Sequence, residues 1–135
     1  MADVAVHTTI TDKVAVLTLS HPARRNALNI ALSALLAEAV QGAADDPEVG
    51  AIVVTGEDPA FCAGGDLAEL ATAGPTQLKT VYAGFLALAD CPLPTIAAVN
   101  GAAVGETSRF ATPAVSGTAL VVPTLTGVTA VAITR

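Results

Sequence analysis

Aromatic side chains are scarce in this chain. It has no tryptophan, one tyrosine and three phenylalanines, so its core must be assembled from Ala, Val, Leu and Ile, which fill space less readily than rings. Charge is sparse as well: charged residues make up 13% of the total and hydrophobic ones 53%. That balance excludes a disordered polar chain, which combines low hydrophobicity with high net charge. Basic residues are the scarcer sign, with six Lys and Arg against twelve Asp and Glu and a net charge of −6. Nucleic acid is excluded as a partner on this ground, because phosphate backbones are bound by basic faces. A pair of arginines in one loop is still enough for a single anionic ligand.

Cysteine is limited to Cys62 and Cys91. The stretch from Met1 to Thr11 carries Asp3 and has no apolar signal core, so reduced thiols and a cytoplasmic location are expected. No His/Cys grouping has metal-ligand spacing, and no metal is expected. Charge disappears altogether from Phe110 to Thr134, a length that could cross a bilayer. The stretch is broken by Pro113 and Pro123 and is rich in Thr. It therefore reads as two Thr/Val-rich strands, around Ala119–Val122 and Val128–Ile133, and membrane association is not expected.

What is present is alternation of strand and helix patterns in one domain without internal repeats. Val14–Leu19 (VAVLTL) predicts a strand that ends at His21-Pro22. After Asn29, the residues Ile30, Leu32, Leu35, Leu36 and Val40 recur at spacings of three and four, which predicts an amphipathic helix ending near Gly42. Ala51–Thr55 reads as a buried strand closed by Gly56. A second helix is expected from Thr76 to Ala89, with Leu78, Val81, Tyr82, Phe85 and Leu86 on one side. Pro92 and Pro94 stop it, and Thr95–Val99 predicts a further strand. Such alternation implies an α/β fold with a largely parallel sheet covered by helices.

Three stretches carry chemistry in a fixed order: HPARRNALN (His21–Asn29), AIVVTGEDPAFCAGGDL (Ala51–Leu67) and CPLPTIAAVNGAAVG (Cys91–Gly105). The turn Ala63-Gly64-Gly65-Asp66 has the small residues that a tight backbone donor site requires. Together with Val14–Leu19, the ordered set resembles the first half of a crotonase (enoyl-CoA hydratase/isomerase) family enzyme over about residues 8–105. The resemblance implies a truncated ββα spiral with a largely parallel sheet. It also implies action on acyl-CoA thioesters, by hydration of an enoyl-CoA or double-bond isomerisation, as in fatty acid metabolism. The coenzyme A thioester is then the substrate rather than a cofactor, and the family assembly is a homotrimer or hexamer.

By the same resemblance, the Gly65 N–H is the first oxyanion donor, and Ala63, Asp66 and Leu67 lie along the adenine and pantetheine. Asp66 also suits a helix cap. Ala27 and Leu28 line the pantetheine path, and Val104 and Gly105 open the second oxyanion turn. Arg24 and Arg25 have two readings, as phosphate contacts or as solvated loop charges. His21 reads as a turn residue, Cys62 as a small apolar filler, Cys91 as part of a helix end, and Glu57 and Asp58 as a solvent-facing pair.

Beyond Gly105 the pattern departs from the family. Counting along it, the second oxyanion donor falls at Glu106, whose charge opposes a developing oxyanion. The first catalytic carboxylate falls at Arg109, which keeps its proton at every working pH and cannot act as a base. Glu106 is the last acidic residue of the chain. The expectation is a family-like part over 1–105 and an aberrant Thr/Val-rich tail over 106–135, from a frame change, a truncation, a joined foreign sequence or a natural short tail. Such a chain is expected to be incomplete and inactive. The alternatives are a non-catalytic coenzyme A or acyl-CoA binder and a product that folds poorly.

Overall fold

The computed structural model describes residues 4–104 and, as backbone, three strands within 114–132. Strand β1, Ala5–Thr11, pairs antiparallel with β2, Val14–Ser20. The Asp12-Lys13 turn between them has both residues at positive φ, 50° and 66°, the conformation whose twist suits a two-residue hairpin. Strand β1 carries no strand signal of its own, because from His7 onward it is exposed and shows no apolar alternation. In β2 every second side chain, Ala15, Leu17 and Leu19, is buried. Strand β3, Ala51–Gly56, runs parallel to β2 from Val14↔Ala51 to Leu19↔Gly56. Strand β5, Thr95–Ala97, runs parallel to β3, so the four-stranded sheet has the order β1-β2-β3-β5.

A small parallel pair is formed by β4 (Ala60–Cys62), between β3 and β5 in sequence, and β6 (Ala102–Ala103), after β5. Strands β7 (Ala114–Ser116), β8 (Ala119–Thr124) and β9 (Gly127–Ala132) form an antiparallel sheet in the order β7-β8-β9. The two expected Thr/Val-rich strands are therefore present, joined by a short third. Among the described residues, no helix is long and apolar enough to cross a membrane.

Helix α1, Ile30–Asp45, starts where Asn29 caps it by accepting the Leu32 N–H at 2.7 Å. Helix α2 is one short stretch, Leu67–Leu70. Helix α3, Pro75–Asp90, opens with Pro in its first turn, and the Gln77 side chain accepts the Gly74 N–H at 3.0 Å. The buried faces differ from expectation. In α1 they are Leu32, Ser33, Leu36, Val40 and Ala43, and in α3 Val81, Gly84, Phe85 and Leu88. Ile30, Leu35, Leu78 and Leu86 are exposed. The seam between the helices explains the rotation: a Cβ on Gly84 would stand 2.7 Å from the Ser33 carbonyl oxygen, and the Gly84 N–H donates to Ser33 Oγ at 2.8 Å. Close approach at small residues sets which stripe is buried, and the longer side chains beside it turn outward.

Candidate functional site

Loops leaving β2, β3 and β5 meet at the carboxyl ends of these parallel strands, the end where open α/β sheets bind ligands. In the first loop His21 is buried, its carbonyl accepts the Arg24 and Asn26 N–H groups at 3.0 Å each, and its Nδ1 lies 3.2 Å from the Ala27 oxygen. It is a turn residue, as expected. Arg25 and Asn26 follow in the left-handed region, at φ 51° and 57°.

The backbone from Arg25 to Leu28 then runs along the turn that holds Gly65. The Ala63 N–H donates to the Arg25 oxygen at 3.0 Å, the Leu28 N–H to the Gly64 oxygen at 2.7 Å, and the Asp66 N–H to the Leu28 oxygen at 2.7 Å. The third loop joins through β4–β6 and through the Val104 N–H, which donates to the Cys62 oxygen at 3.0 Å. Gly64 adopts φ 91°, which residues with a Cβ rarely adopt. Space at Gly65 is tight: a Cβ there would be 2.6 Å from Leu70 Cδ1, the end of a flexible side chain, and 3.1 Å from the Tyr82 hydroxyl. Between residues pinned on both sides, the Gly65 N–H donates to nothing among the described residues.

The sequence-predicted residues separate by role. Asp66 is buried and its Oδ1 accepts the Ala68 N–H at 2.9 Å, so its side chain caps α2. Ala27 and Leu28 are buried, and Leu28 meets the turn through its backbone. Ala63 is half-buried, whereas Leu67 and Val104 are exposed to 80% and 51%. Arg24 and Arg25 are exposed, with no ion-pair partner among the described residues. Glu57 is exposed and accepts the Ser20 hydroxyl. Gly105, Glu106 and Arg109 lie outside the described residues. Asn26 and Asn100, whose side chains brace residues 56–60, and the Tyr82 hydroxyl beside Gly65 join this region without any signal in the sequence that marks them.

Among the described residues, no group of His, Cys, Asp and Glu is arranged to hold a metal. Both cysteines are free. Burial pushes the Cys62 thiol up to about 12 from 9.0, against smaller lowering effects of the Gly64 and Leu28 backbone. A thiol reagent is therefore expected to label half-buried Cys91 first and Cys62 only on unfolding. Between pH 9.0 and about 12 the folded state keeps a proton that the unfolded state has lost, so stability falls as pH rises through that window. Denaturation of the wild type and Cys62→Ala on both sides of pH 9.0 checks this, since only the wild type carries the Cys62 part of the loss.

The family model for enoyl-CoA hydratase/isomerase matches residues 9–114, which includes the first residues past Gly105. A Mycobacterium tuberculosis protein named "probable enoyl-CoA hydratase" is 51% identical over 96 residues, covering 68% of this chain and 38% of that protein. One of the same name from Rhodobacter capsulatus is 43% identical over 106 residues, covering 76% of this chain and 40% of its own length. The chain thus spans well under half of these relatives. A crystal structure of an enoyl-CoA hydratase from Polaromonas superposes with a TM-score of 0.71 at 35% identity, over 79% of this chain and 44% of that one.

Proposed function

The chain belongs to the enoyl-CoA hydratase/isomerase family, and on that premise we propose that it holds an acyl-CoA thioester with the oxygen against the Gly65 N–H. One observation carries this reading: a backbone donor with no hydrogen-bond partner among the described residues stands between hydrogen-bonded neighbours on a tight turn of small residues. Such a preorganised donor stabilises negative charge on a thioester oxygen as an enolate forms, and removing one typically costs about 10²–10³ in rate. The exposed Arg24 and Arg25 offer forks for the coenzyme A phosphates. Ala27, Leu28, Ala63, Asp66, Leu67 and Val104 border the path of its pantetheine and adenine, and the family pattern assigns Gly105 and Glu106, outside the described residues, to the second donor turn.

Turnover is not part of the proposal for this chain. Hydration or isomerisation needs a group that moves a proton, and Arg109, where the family has a carboxylate, cannot accept one. No acidic residue follows Glu106, and the change of composition there supports reading the Thr/Val-rich stretch beyond the family match at residue 114 apart from the family-like part. Full hydratase or isomerase activity, a trimeric or hexameric assembly and a cytoplasmic location are proposed for the family protein as a whole. Calorimetric titration with butyryl-CoA and an assay of crotonyl-CoA hydration test both halves. Saturable binding and no turnover are expected. Absence of binding at millimolar ligand refutes the first half, and hydration above the uncatalysed rate refutes the second.

A further inference from the structure

We infer that Asn26 and Asn100 are positioning residues that together aim the Gly65 N–H; the inference rests on the acyl-CoA reading above. Asn26 is fully buried and left-handed, at φ 57°. Its Oδ1 accepts the His21 N–H at 2.9 Å, and its Nδ2 donates to the Glu57 and Ala60 carbonyls at 2.8 Å each. Asn100 holds the same stretch from the other loop. Its Oδ1 accepts the Gly56 N–H at 3.1 Å, and its Nδ2 approaches the Gly56 oxygen at 2.7 Å, Asp58 Oδ1 at 3.3 Å and the Ala60 oxygen at 3.4 Å. The Ala60 carbonyl is shared by both amides.

That carbonyl lies at the start of β4, the strand leading into the Gly64–Gly65 turn. The β4–β6 register shifts between Ala60 and Cys62, so a regular ladder does not fix where β4 begins. The two side-chain amides do. The chain beside Asn26 continues the control, because Arg25 and Leu28 hold Ala63, Gly64 and Asp66 on both sides of Gly65. With Gly64 at φ 91°, a slip of β4 turns the next peptide plane and its N–H.

The substitution Asn26→Asp keeps the shape but turns a double donor into an acceptor facing two carbonyls, in a buried place where water cannot replace the lost bonds. Asn100→Ala removes the exposed brace. Ser33→Ala serves as a control, since it deletes a buried hydrogen bond between α1 and α3 without touching the loops.

Spectra of the full chain with 15N-labelled glycine give the first readout. The Gly64 and Gly65 amide signals are expected to move in both Asn variants and to stay put in Ser33→Ala. Acidification is expected to restore Asn26→Asp in part, because the neutral carboxyl regains one donor. Butyryl-CoA with a 13C carbonyl gives the second. Its stretching frequency is expected to fall on binding to the wild type and to fall less in Asn100→Ala. Affinity for butyryl-CoA should drop about tenfold, on the order of one lost hydrogen bond, with affinity for free coenzyme A retained. Gly64 and Gly65 signals that do not move in the folded Asn variants, or that move equally in Ser33→Ala, overturn the inference. If Asn26→Asp does not fold, Asn100→Ala decides. If the wild type binds no butyryl-CoA, the acyl-CoA reading fails while the glycine signals still judge the positioning role.

Discussion

Replacing Gly56 by alanine is expected to cost about 3 kcal/mol, the upper end for overpacking. Gly56 ends β3, opposite Leu19 of β2. An added Cβ would lie 2.3 Å from the Ala60 and Phe61 carbonyl oxygens and 2.7 Å from the Phe61 Cα. Every one of these atoms is backbone, so no rotamer change relieves the clash, and β4 itself must move. Gly65→Ala is a milder case for stability, since its nearest neighbour is the end of the flexible Leu70 side chain, at 2.6 Å. Gly42→Ala should go the other way. Nothing lies within 4 Å of a Cβ there, and alanine gains roughly 0.5–1 kcal/mol over glycine inside a helix. Urea denaturation of the three variants is expected to order the midpoints as Gly42→Ala, then Gly65→Ala, then Gly56→Ala, highest first. A Gly56→Ala protein as stable as the wild type would mean that the β3–β4 corner is not packed as described.

Truncating Phe85 is expected to have a comparable or larger effect, about 3–5 kcal/mol, against a typical total stability of about 5–15 kcal/mol. Only three phenylalanines are available to the whole chain. Two of them, Phe61 of β4 and Phe85 of α3, are among its largest fully buried side chains. Both line a small apolar gap with Val54, Leu88, Ile96 and Ala97. Phe85→Ala would join the vacated ring volume to that gap, in a core of short side chains with little reach to close it. Phe85→Leu retains most of the volume and should cost markedly less. Denaturant midpoints with unchanged slopes measure both. Equal, small losses for the two variants would contradict a core that depends on its few rings.

The glycine and phenylalanine positions also show what a single sequence makes legible. Helices α1 and α3 could be read because the three-and-four spacings of Leu32, Leu35, Leu36 and Val40, and of Leu78, Val81, Tyr82 and Phe85, act within one turn or two. Which stripe is buried could not, since it is set by Gly84 meeting Ser33 across the seam. Strand β1 was hidden because its residues from His7 are exposed and its partner, not its own pattern, makes it a strand. At the site, the Ala63–Asp66 turn was legible from its small residues and from the Asp66 cap. Asn26 and Asn100 were not. Their partners are backbone carbonyls tens of residues away, and an asparagine in a loop carries no mark of them. The tail's two longer strands could be anticipated from composition alone, as β8 and β9.

The proposed binding mode turns on one atom pair, the Gly65 N–H and a thioester oxygen, and a paired titration reaches it directly. The full chain, with 15N in its eleven glycines, is titrated with butyryl-CoA and with the butyl thioether of coenzyme A, which lacks the carbonyl. The predicted result is a downfield move of the Gly65 amide proton with the thioester and little or none with the thioether, both ligands binding. Equal moves with the two ligands, or none with either at saturation, would contradict the assignment of Gly65 as the donor.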